Sequence, residues 1–198
     1  MKTLILFAHP RLEKSKINKL LLSRIRLSSQ LSFIDLYETY PDFNIDIEKE
    51  KELLQQHDVI IWQHPFYWYS CPPLLKQWID LVLEFEWAYG PGGNALQGKY
   101  VFNSITTGGA SEAYQHEGRN RFTIREYLHP FDQTALLCKM HYLPPFAVQG
   151  THRLSNEKLN AYADQYEQLL DLLVNDGIDL EAAKKAAFMN DILAPINQ

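Results

Sequence analysis

One apolar run in this sequence is followed directly by a cluster of aromatic residues. The run from Val59 to Gln63 is rich in β-branched residues and predicts a strand that is buried on both faces. His64 and Pro65 are expected to break that strand. The rings that follow, where a strand should pass into a helix, are Phe66, Tyr67, Trp68 and Tyr69. Ligands of open α/β sheets bind beyond the carboxyl ends of the strands. The rings therefore either line a site for a flat, conjugated molecule or pack the core.

Two further loops contain groups that suit a ligand. The first follows an apolar run from Thr3 to Ala8 and contains His9, a hydrogen-bond donor, and Ser15, which precedes a helical pattern starting at Ile17. N–H groups at a helix start favour anions, so this loop suits a phosphate, although such a serine is usually only a helix cap. The second loop reads Thr106-Thr107-Gly108-Gly109, where backbone without a Cβ can approach a ligand closely. The sequence has neither a GxGxxG motif nor a P-loop, so it indicates neither a Rossmann dinucleotide site nor a nucleoside triphosphatase.

The remaining patterns alternate strands with helices. Strands are predicted over 3–8, 30–36, 59–63, 99–106 and 142–148, the last at a sheet edge, and helices over 17–28, 47–56, 131–140 and 155–174. A further helix opens at Pro72-Pro73, with one face made of Leu74, Leu75, Trp78, Leu81 and Val82. Right-handed crossovers then predict a parallel α/β sheet with helices on both faces. In the doubly wound order 2-1-3-4-5, strands one, three and four are neighbours, so the three loops should converge.

The composition is that of a single soluble domain. The chain has 198 residues and a mass of 23.1 kDa, 46% of its residues are hydrophobic and 22% are charged. A net charge of -5 and a pI near 5.8 argue against nucleic-acid binding. Cys71 and Cys138 lack metal-ligand spacing, so no metal site is expected and a reducing compartment fits. No signal peptide or membrane span is evident, so we expect a cytoplasmic location.

Several motifs together carry a resemblance to a known family. They are His9-Pro10 with Ser15 to Asn18, Tyr40-Pro41-Asp42, Gln63 to Ser70, Pro72 to Lys76, Trp87 to Gly90, Asn94-Ala95-Leu96 with Gly98-Lys99, Thr106 to Gly109, and Leu143 to Phe146. The chain resembles the flavodoxin-like NAD(P)H:quinone oxidoreductases. That family includes ancillary subunits of glutathione-gated potassium efflux systems and bacterial general-stress oxidoreductases. The resemblance implies a flavodoxin-like three-layer sandwich with a five-stranded parallel sheet. We expect residues 1–175 to form the flavin-binding domain and 176–198 a C-terminal helical extension of it, with a helix over 182–189.

The resemblance also implies a cofactor and its site. The cofactor would be FMN, with FAD as the alternative, and the co-substrate NADH or NADPH. The flavin phosphate would lie on His9, Ser15, Lys16, Ile17 and Asn18. The isoalloxazine ring would lie against Phe66, Tyr67, Trp68 and Tyr69, with its pyrimidine edge on Thr106, Thr107, Gly108 and Gly109. Backbone N–H groups from Thr107 to Gly109 would stabilise negative charge on the reduced ring.

The implied reaction is hydride transfer from NAD(P)H to the flavin, followed by two-electron transfer to a quinone-like acceptor. FAD-binding relatives place a tyrosine beside the transferred hydride, and Tyr114 matches it here. A histidine found six residues further on in some relatives is replaced by Asn120, so the resemblance supports Tyr114 without a tyrosine–histidine relay, unless His116 takes the place of that histidine.

Other functions remain open at this point. The chain could regulate a potassium-efflux membrane protein from the inner face of the cell membrane, or act as a one-electron flavodoxin-type carrier. Azo or nitro compounds could also replace quinones as acceptors. Relatives usually form homodimers, and Trp87 and Tyr89 are compatible with such an interface or with a buried core.

Overall fold

Six parallel strands form the central sheet of the computed structural model, which describes residues 1–196. The strands are β1 (Thr3–Phe7), β2 (Leu31–Asp35), β3 (Val59–Pro65), β4 (Tyr100–Thr106), β5 (His141–Tyr142) and β6 (Phe146–Val148). Their order is β2-β1-β3-β4-β5, and β6 pairs with β4 beyond β5. The predicted order is confirmed. The fifth position holds two short strands rather than one, because Pro144 and Pro145 between them have no N–H to donate to a ladder.

The helices cover both faces of the sheet, as predicted. They are α1 (Lys16–Leu22), α2 (Leu36–Thr39), α3 (Ile47–Gln56), α4 (Pro73–Val82), α5 (Ile124–Tyr127), α6 (His129–Leu137), α7 (Asn156–Val174) and α8 (Leu180–Ala183). Successive side chains of a strand point to opposite faces, so β1 sends Leu4 and Leu6 into one core and Ile5 into another. The first core lies under α2 to α6, and the second lies under α1, α7 and α8.

The prediction that His64 and Pro65 end the third strand is wrong. Pro65 pairs with Thr106, and the N–H of Phe66 donates to the Thr106 carbonyl at 2.9 Å. Because successive N–H groups alternate in direction, the missing N–H of Pro65 falls on the β1 side. There β1 has already ended at Phe7, so the proline breaks no ladder hydrogen bond.

Other predicted boundaries also change. The first helix ends at Leu22, not near residue 28, and the sixth covers His129–Leu137 instead of 131–140. The one-turn helices α2 and α5 were not predicted, because four residues carry no helical periodicity. In α4, Ile79 takes the buried position predicted for Leu81, which is exposed.

The predicted helix over 182–189 is wrong. The structure has only the short α8 and a 3-10 turn over Met189–Ile192, while residues 197 and 198 lie outside the described part. The turn nevertheless packs tightly. Met189 is fully buried in the second core, and the side-chain oxygen of Asn190 accepts the N–H of Ala147 at 2.9 Å. The C-terminal segment therefore covers the outer edge of β6, which would otherwise expose unpaired backbone groups.

Trp87 and Tyr89, which were compatible with an interface, are half-buried and pack on the first core.

Within residues 1–196, none of the helices combines the length and the apolar character that crossing a membrane requires.

Candidate functional site

The loop between β1 and α1 is fastened to the end of β4. Ser15 caps α1, because its Oγ accepts hydrogen bonds from the backbone N–H of Asn18 at 3.2 Å and from the Asn18 side chain at 3.0 Å. The same side-chain nitrogen donates to Thr106 Oγ1 at 3.0 Å. Asn18 Oδ1 is buried without a partner among the described residues. The Ser15 hydroxyl hydrogen also finds no acceptor within residues 1–196, so it is free to donate to a ligand.

His9 is fixed as a neutral donor at the start of this loop. Its Nδ1 accepts the N–H of Arg11 at 3.1 Å, so the hydrogen of the neutral ring lies on Nε2. Burial lowers the pKa of His9, which agrees with an acceptor role for Nδ1. The ring can therefore donate one hydrogen bond without carrying a charge.

The aromatic loop is a tight turn that displays its rings to solvent. The N–H of Ser70 donates to the Tyr67 carbonyl at 3.0 Å, and the two central residues, Trp68 and Tyr69, have φ values of 50° and 63°. Bulky residues rarely adopt this left-handed conformation, which costs on the order of 1 kcal/mol for each residue. Trp68 is 92% exposed, so core packing does not offset this strain in the isolated chain. Such strain is typical of a functional loop.

Behind the turn, a group of packed rings supports it. Phe66 is buried and makes edge contacts with Tyr69, Tyr114 and Tyr127 at centroid distances of 5.8–6.4 Å. Tyr69 stacks on Tyr127 at 5.0 Å. The structure therefore divides the aromatic run, because Phe66 packs in the core, whereas Tyr67, Trp68 and Tyr69 are exposed.

The glycine loop is held by the segment that follows β6. The Thr107 carbonyl accepts hydrogen bonds from the Thr151 N–H at 3.0 Å and from Thr151 Oγ1 at 3.1 Å, and the Gly109 carbonyl accepts the Gly150 N–H at 2.8 Å. Since the peptide unit is planar and trans, the N–H of Gly108 must point away from Thr151. These contacts fix the directions of the peptide groups before any ligand binds.

The free donors of this loop begin one residue later than predicted. The N–H of Thr107 donates to the Val148 carbonyl at 2.9 Å and is not available to a ligand. By contrast, the N–H groups of Gly108 and Gly109 have no acceptor among residues 1–196. A Cβ at Gly109 would lie 3.1 Å from Tyr114 Cε2, so the glycine lets this tyrosine approach the backbone. Burial raises the pKa of the Tyr114 hydroxyl, which therefore stays protonated and can donate.

One cavity of about 230 Å³ joins the three loops. Predicted site residues that line it are His9, Ser15, Ile17, Asn18, Tyr67, Thr106 and Gly108. Further lining residues, which the sequence analysis did not identify as site residues, are Arg11, Lys14, Pro65, Thr151 and His152. No carboxylate appears among the described residues that line it, although the chain as a whole is acidic. The cavity therefore suits an anionic group attached to a larger ligand.

The other predicted residues lie around this cavity or outside it. Phe66, Trp68, Tyr69, Thr107, Gly109 and Tyr114 belong to the surrounding loops but do not line the cavity. Lys16 turns away and contacts Asn156 in a wider and more open groove of about 580 Å³. We place the site in the smaller cavity because free polar groups converge there. His116 is not brought to it and instead lies 3.8 Å from Glu126.

Comparisons with known proteins agree with this architecture. A family model described as having a flavodoxin-like fold matches residues 1–170. The glutathione-regulated potassium-efflux system ancillary protein KefG of Enterobacter sp. (strain 638) is 46% identical over 169 residues, which is 85% of this chain and 92% of that protein.

Two solved structures are similar as well. General stress protein 14 from Treponema denticola, in complex with FMN, is 37% identical with a TM-score of 0.83, covering 87% of this chain and 99% of that one. An NADPH-quinone reductase from P. pentosaceus is 36% identical with a TM-score of 0.78, covering 85% and 97%. The chain therefore belongs to the family with the flavodoxin-like fold.

Proposed function

We propose that this chain is a flavoprotein that transfers a hydride from NAD(P)H, through bound FMN, to quinone-like acceptors. The single observation that carries the proposal is the convergence of three strand-end loops on one cation-lined cavity. The FMN complex of the Treponema relative and the NADPH-quinone reductase provide independent support.

The residues of the cavity fit the phosphate of such a cofactor. His9 Nε2 and the Ser15 hydroxyl are unused donors, and the N–H groups of Lys16 and Ile17 open α1 without an acceptor within residues 1–196. Arg11 and Lys14 add positive charge. The amide hydrogens of Asn18 hold the loop to Ser15 and Thr106. We infer that it positions the phosphate loop and does not donate to the phosphate.

The ring-binding half would be formed by the aromatic turn and the glycine loop. When bound, FMN supplies the hydride and electron chemistry. Tyr67, Trp68 and Tyr69 would give it an apolar wall that excludes water. The N–H groups of Gly108 and Gly109 would stabilise negative charge on the ring, as donors do in an oxyanion hole. We assign Tyr114 the role of a catalytic hydroxyl that donates a proton or hydrogen bond at the same edge.

We also infer that two copies of the chain assemble. The inference rests on the aromatic turn, where Trp68, Tyr67 and the nearby Phe122 leave much of their ring surface in solvent. A partner chain over these rings would close the ring-binding half of the site. Light scattering at micromolar concentration is expected to give the mass of two chains. A monomer that turns over NADPH at full rate would contradict this inference.

A second candidate function is favoured by a specific observation, the 46% identity to KefG across 92% of that protein. As an ancillary subunit, this chain would act at the cytoplasmic face of a potassium-efflux membrane protein. Co-purification with such a membrane protein after co-expression would support this role. Potassium efflux that is unchanged when the gene for this chain is deleted would contradict the ancillary role. The two functions are compatible, since one protein can both oxidise NAD(P)H and regulate a partner.

The test of the proposed function is anaerobic reduction followed by reoxidation. Protein loaded with FMN should lose its visible flavin absorption on addition of NADH or NADPH and recover it on addition of menadione. A one-electron flavodoxin-type carrier would not be reduced directly by either nucleotide without a separate reductase. Failure of both nucleotides to reduce the bound flavin would therefore contradict the oxidoreductase assignment.

A further inference from the structure

We infer that His152, in the segment after β6, is a cofactor-binding residue that contacts the phosphate half of the bound flavin; this inference rests on the proposed function. His152 lines the same cavity as His9, Ser15 and Lys14. The segment that contains it belongs to none of the three loops that converge at the switch point of the sheet.

The position of His152 is set by the glycine loop. The hydrogen bonds from Gly150 and Thr151 fasten this segment to the carbonyls of Thr107 and Gly109. A Cβ built on Gly108 would lie 2.9 Å from both Nε2 and Cδ2 of His152. The imidazole thus packs directly on the Gly108 backbone, in space that any larger residue at position 108 would occupy.

The ring nitrogens of His152 are free. Neither has a hydrogen-bond partner among residues 1–196, and the side chain is exposed at the cavity wall. The other lining groups that can donate or carry positive charge, His9, Arg11, Lys14 and Ser15, surround the same space. An anion in this space would therefore meet an imidazole from the β6 side in addition to the donors of the first loop. A hydrogen bond to a charged group is worth roughly tenfold or more in affinity.

The location predicts which part of the cofactor His152 contacts. Gly108 is next to the proposed ring edge, whereas Ser15 and Lys14 belong to the proposed phosphate loop. His152 shares its cavity with Ser15 and Lys14, whereas most of the ring-binding half, namely Trp68, Tyr69, Gly109 and Tyr114, does not line that cavity. We therefore expect it to discriminate FMN from riboflavin, which has the same ring but no phosphate.

The experiment measures dissociation constants of FMN and riboflavin for the apoprotein by quenching of flavin fluorescence. His152→Ala should weaken FMN binding about tenfold and leave riboflavin binding within about twofold of wild type. His152→Gln, which retains a donor, should recover part of the loss. The matched control is His129→Ala, at an exposed histidine of α6 outside the cavity, which should change neither constant.

Two results would overturn the inference. One is unchanged FMN affinity in His152→Ala, and the other is an equal loss for FMN and riboflavin, which would indicate a structural effect on the glycine loop. Both differ from failure of the proposed function, in which the wild-type protein would bind neither flavin, or would bind FMN that neither NADH nor NADPH reduces. A lowered melting temperature identifies a folding defect. If His152→Ala has such a defect, His152→Gln is compared with the wild type instead.

Discussion

At the scale of single residues, the site depends on groups whose hydrogen-bonding capacity is left unused. Ser15 caps a helix through its oxygen and can still donate its hydroxyl hydrogen to a ligand. His9 accepts a backbone hydrogen bond at Nδ1 and can still donate one from Nε2. The sequence identified both residues correctly as loop residues. It could not show that Asn18 uses its amide on Thr106, because that contact joins positions 88 residues apart.

Tyr114 provides a prediction about the reaction itself. Tyr114→Phe should leave FMN bound but slow its reduction by NADPH roughly a hundredfold, the scale for losing one donor at a developing negative charge. Anaerobic stopped-flow absorption measures that rate, and the flavin content of the purified variant checks binding. Tyr162→Phe, on α7, is a control that removes a hydroxyl elsewhere. An unchanged rate in Tyr114→Phe would remove this residue from the mechanism.

His64 provides a prediction about pH and stability. It is fully buried, its Nδ1 bonds the Pro65 carbonyl at 3.0 Å and its Nε2 bonds Asn103 at 3.0 Å. Burial lowers the pKa of His64 from 6.5 to about 4. Between these values the unfolded chain binds a proton that the folded chain does not bind, so the free energy of unfolding falls as the pH drops.

We expect this histidine to account for a loss of about 2 kcal/mol between pH 7 and pH 5, measured by urea unfolding. The pKa values of His9 and Asp35 are shifted as well, so the comparison is with His64→Gln, which should lose about 2 kcal/mol less than the wild type between pH 7 and pH 5. If the free energy of unfolding had the same pH dependence in both proteins, unfolding would not change the number of protons bound to His64, which would contradict this prediction.

At the scale of elements, α3 and α4 are joined by a buried carboxylate. Glu50 on α3 is fully buried and accepts hydrogen bonds from the Tyr40 hydroxyl at 2.6 Å and from the Trp78 indole of α4 at 2.9 Å. The helical pattern of 47–56 predicted α3 with its correct ends, yet it gave no sign that one of its many charged residues faces inward. Periodicity indicates which face of a helix is apolar, whereas a single buried carboxylate depends on partners distant in sequence.

Glu50→Ala should therefore leave two buried donors without an acceptor. We expect the free energy of unfolding to fall by about 3 kcal/mol, measured by urea titration. Glu52→Ala, at an exposed position of the same helix, should change it by less than about 0.5 kcal/mol. A loss below about 1 kcal/mol for Glu50→Ala would mean that water or a rearranged side chain satisfies both donors.

At the scale of the whole molecule, the alternation of strands and helices predicted a parallel sheet with helices on both faces, which follows from chain connectivity and handedness. The convergence of three loops required in addition the doubly wound order 2-1-3-4-5, which the structure confirms. The role of the segment after β6 was not predicted, because it lies outside the switch point and contacts the glycine loop through residues more than 40 positions away in sequence, Gly150, Thr151 and His152. Likewise, the net charge of the chain is negative, whereas the two residues of the cavity lining that always carry a charge, Arg11 and Lys14, are positive.

The central claim is that these loops form one flavin site. The most direct measurement is titration of the folded apoprotein with flavin. Visible absorption and mass analysis then identify the bound ligand. We predict one FMN for each chain. In the double variant Gly108→Val and Gly109→Val, the new side chains would fill the space that lets the ring edge approach the glycine backbone, so binding should be abolished. A folded wild-type protein that binds neither FMN nor FAD, or a double variant that retains normal flavin content, would contradict the account.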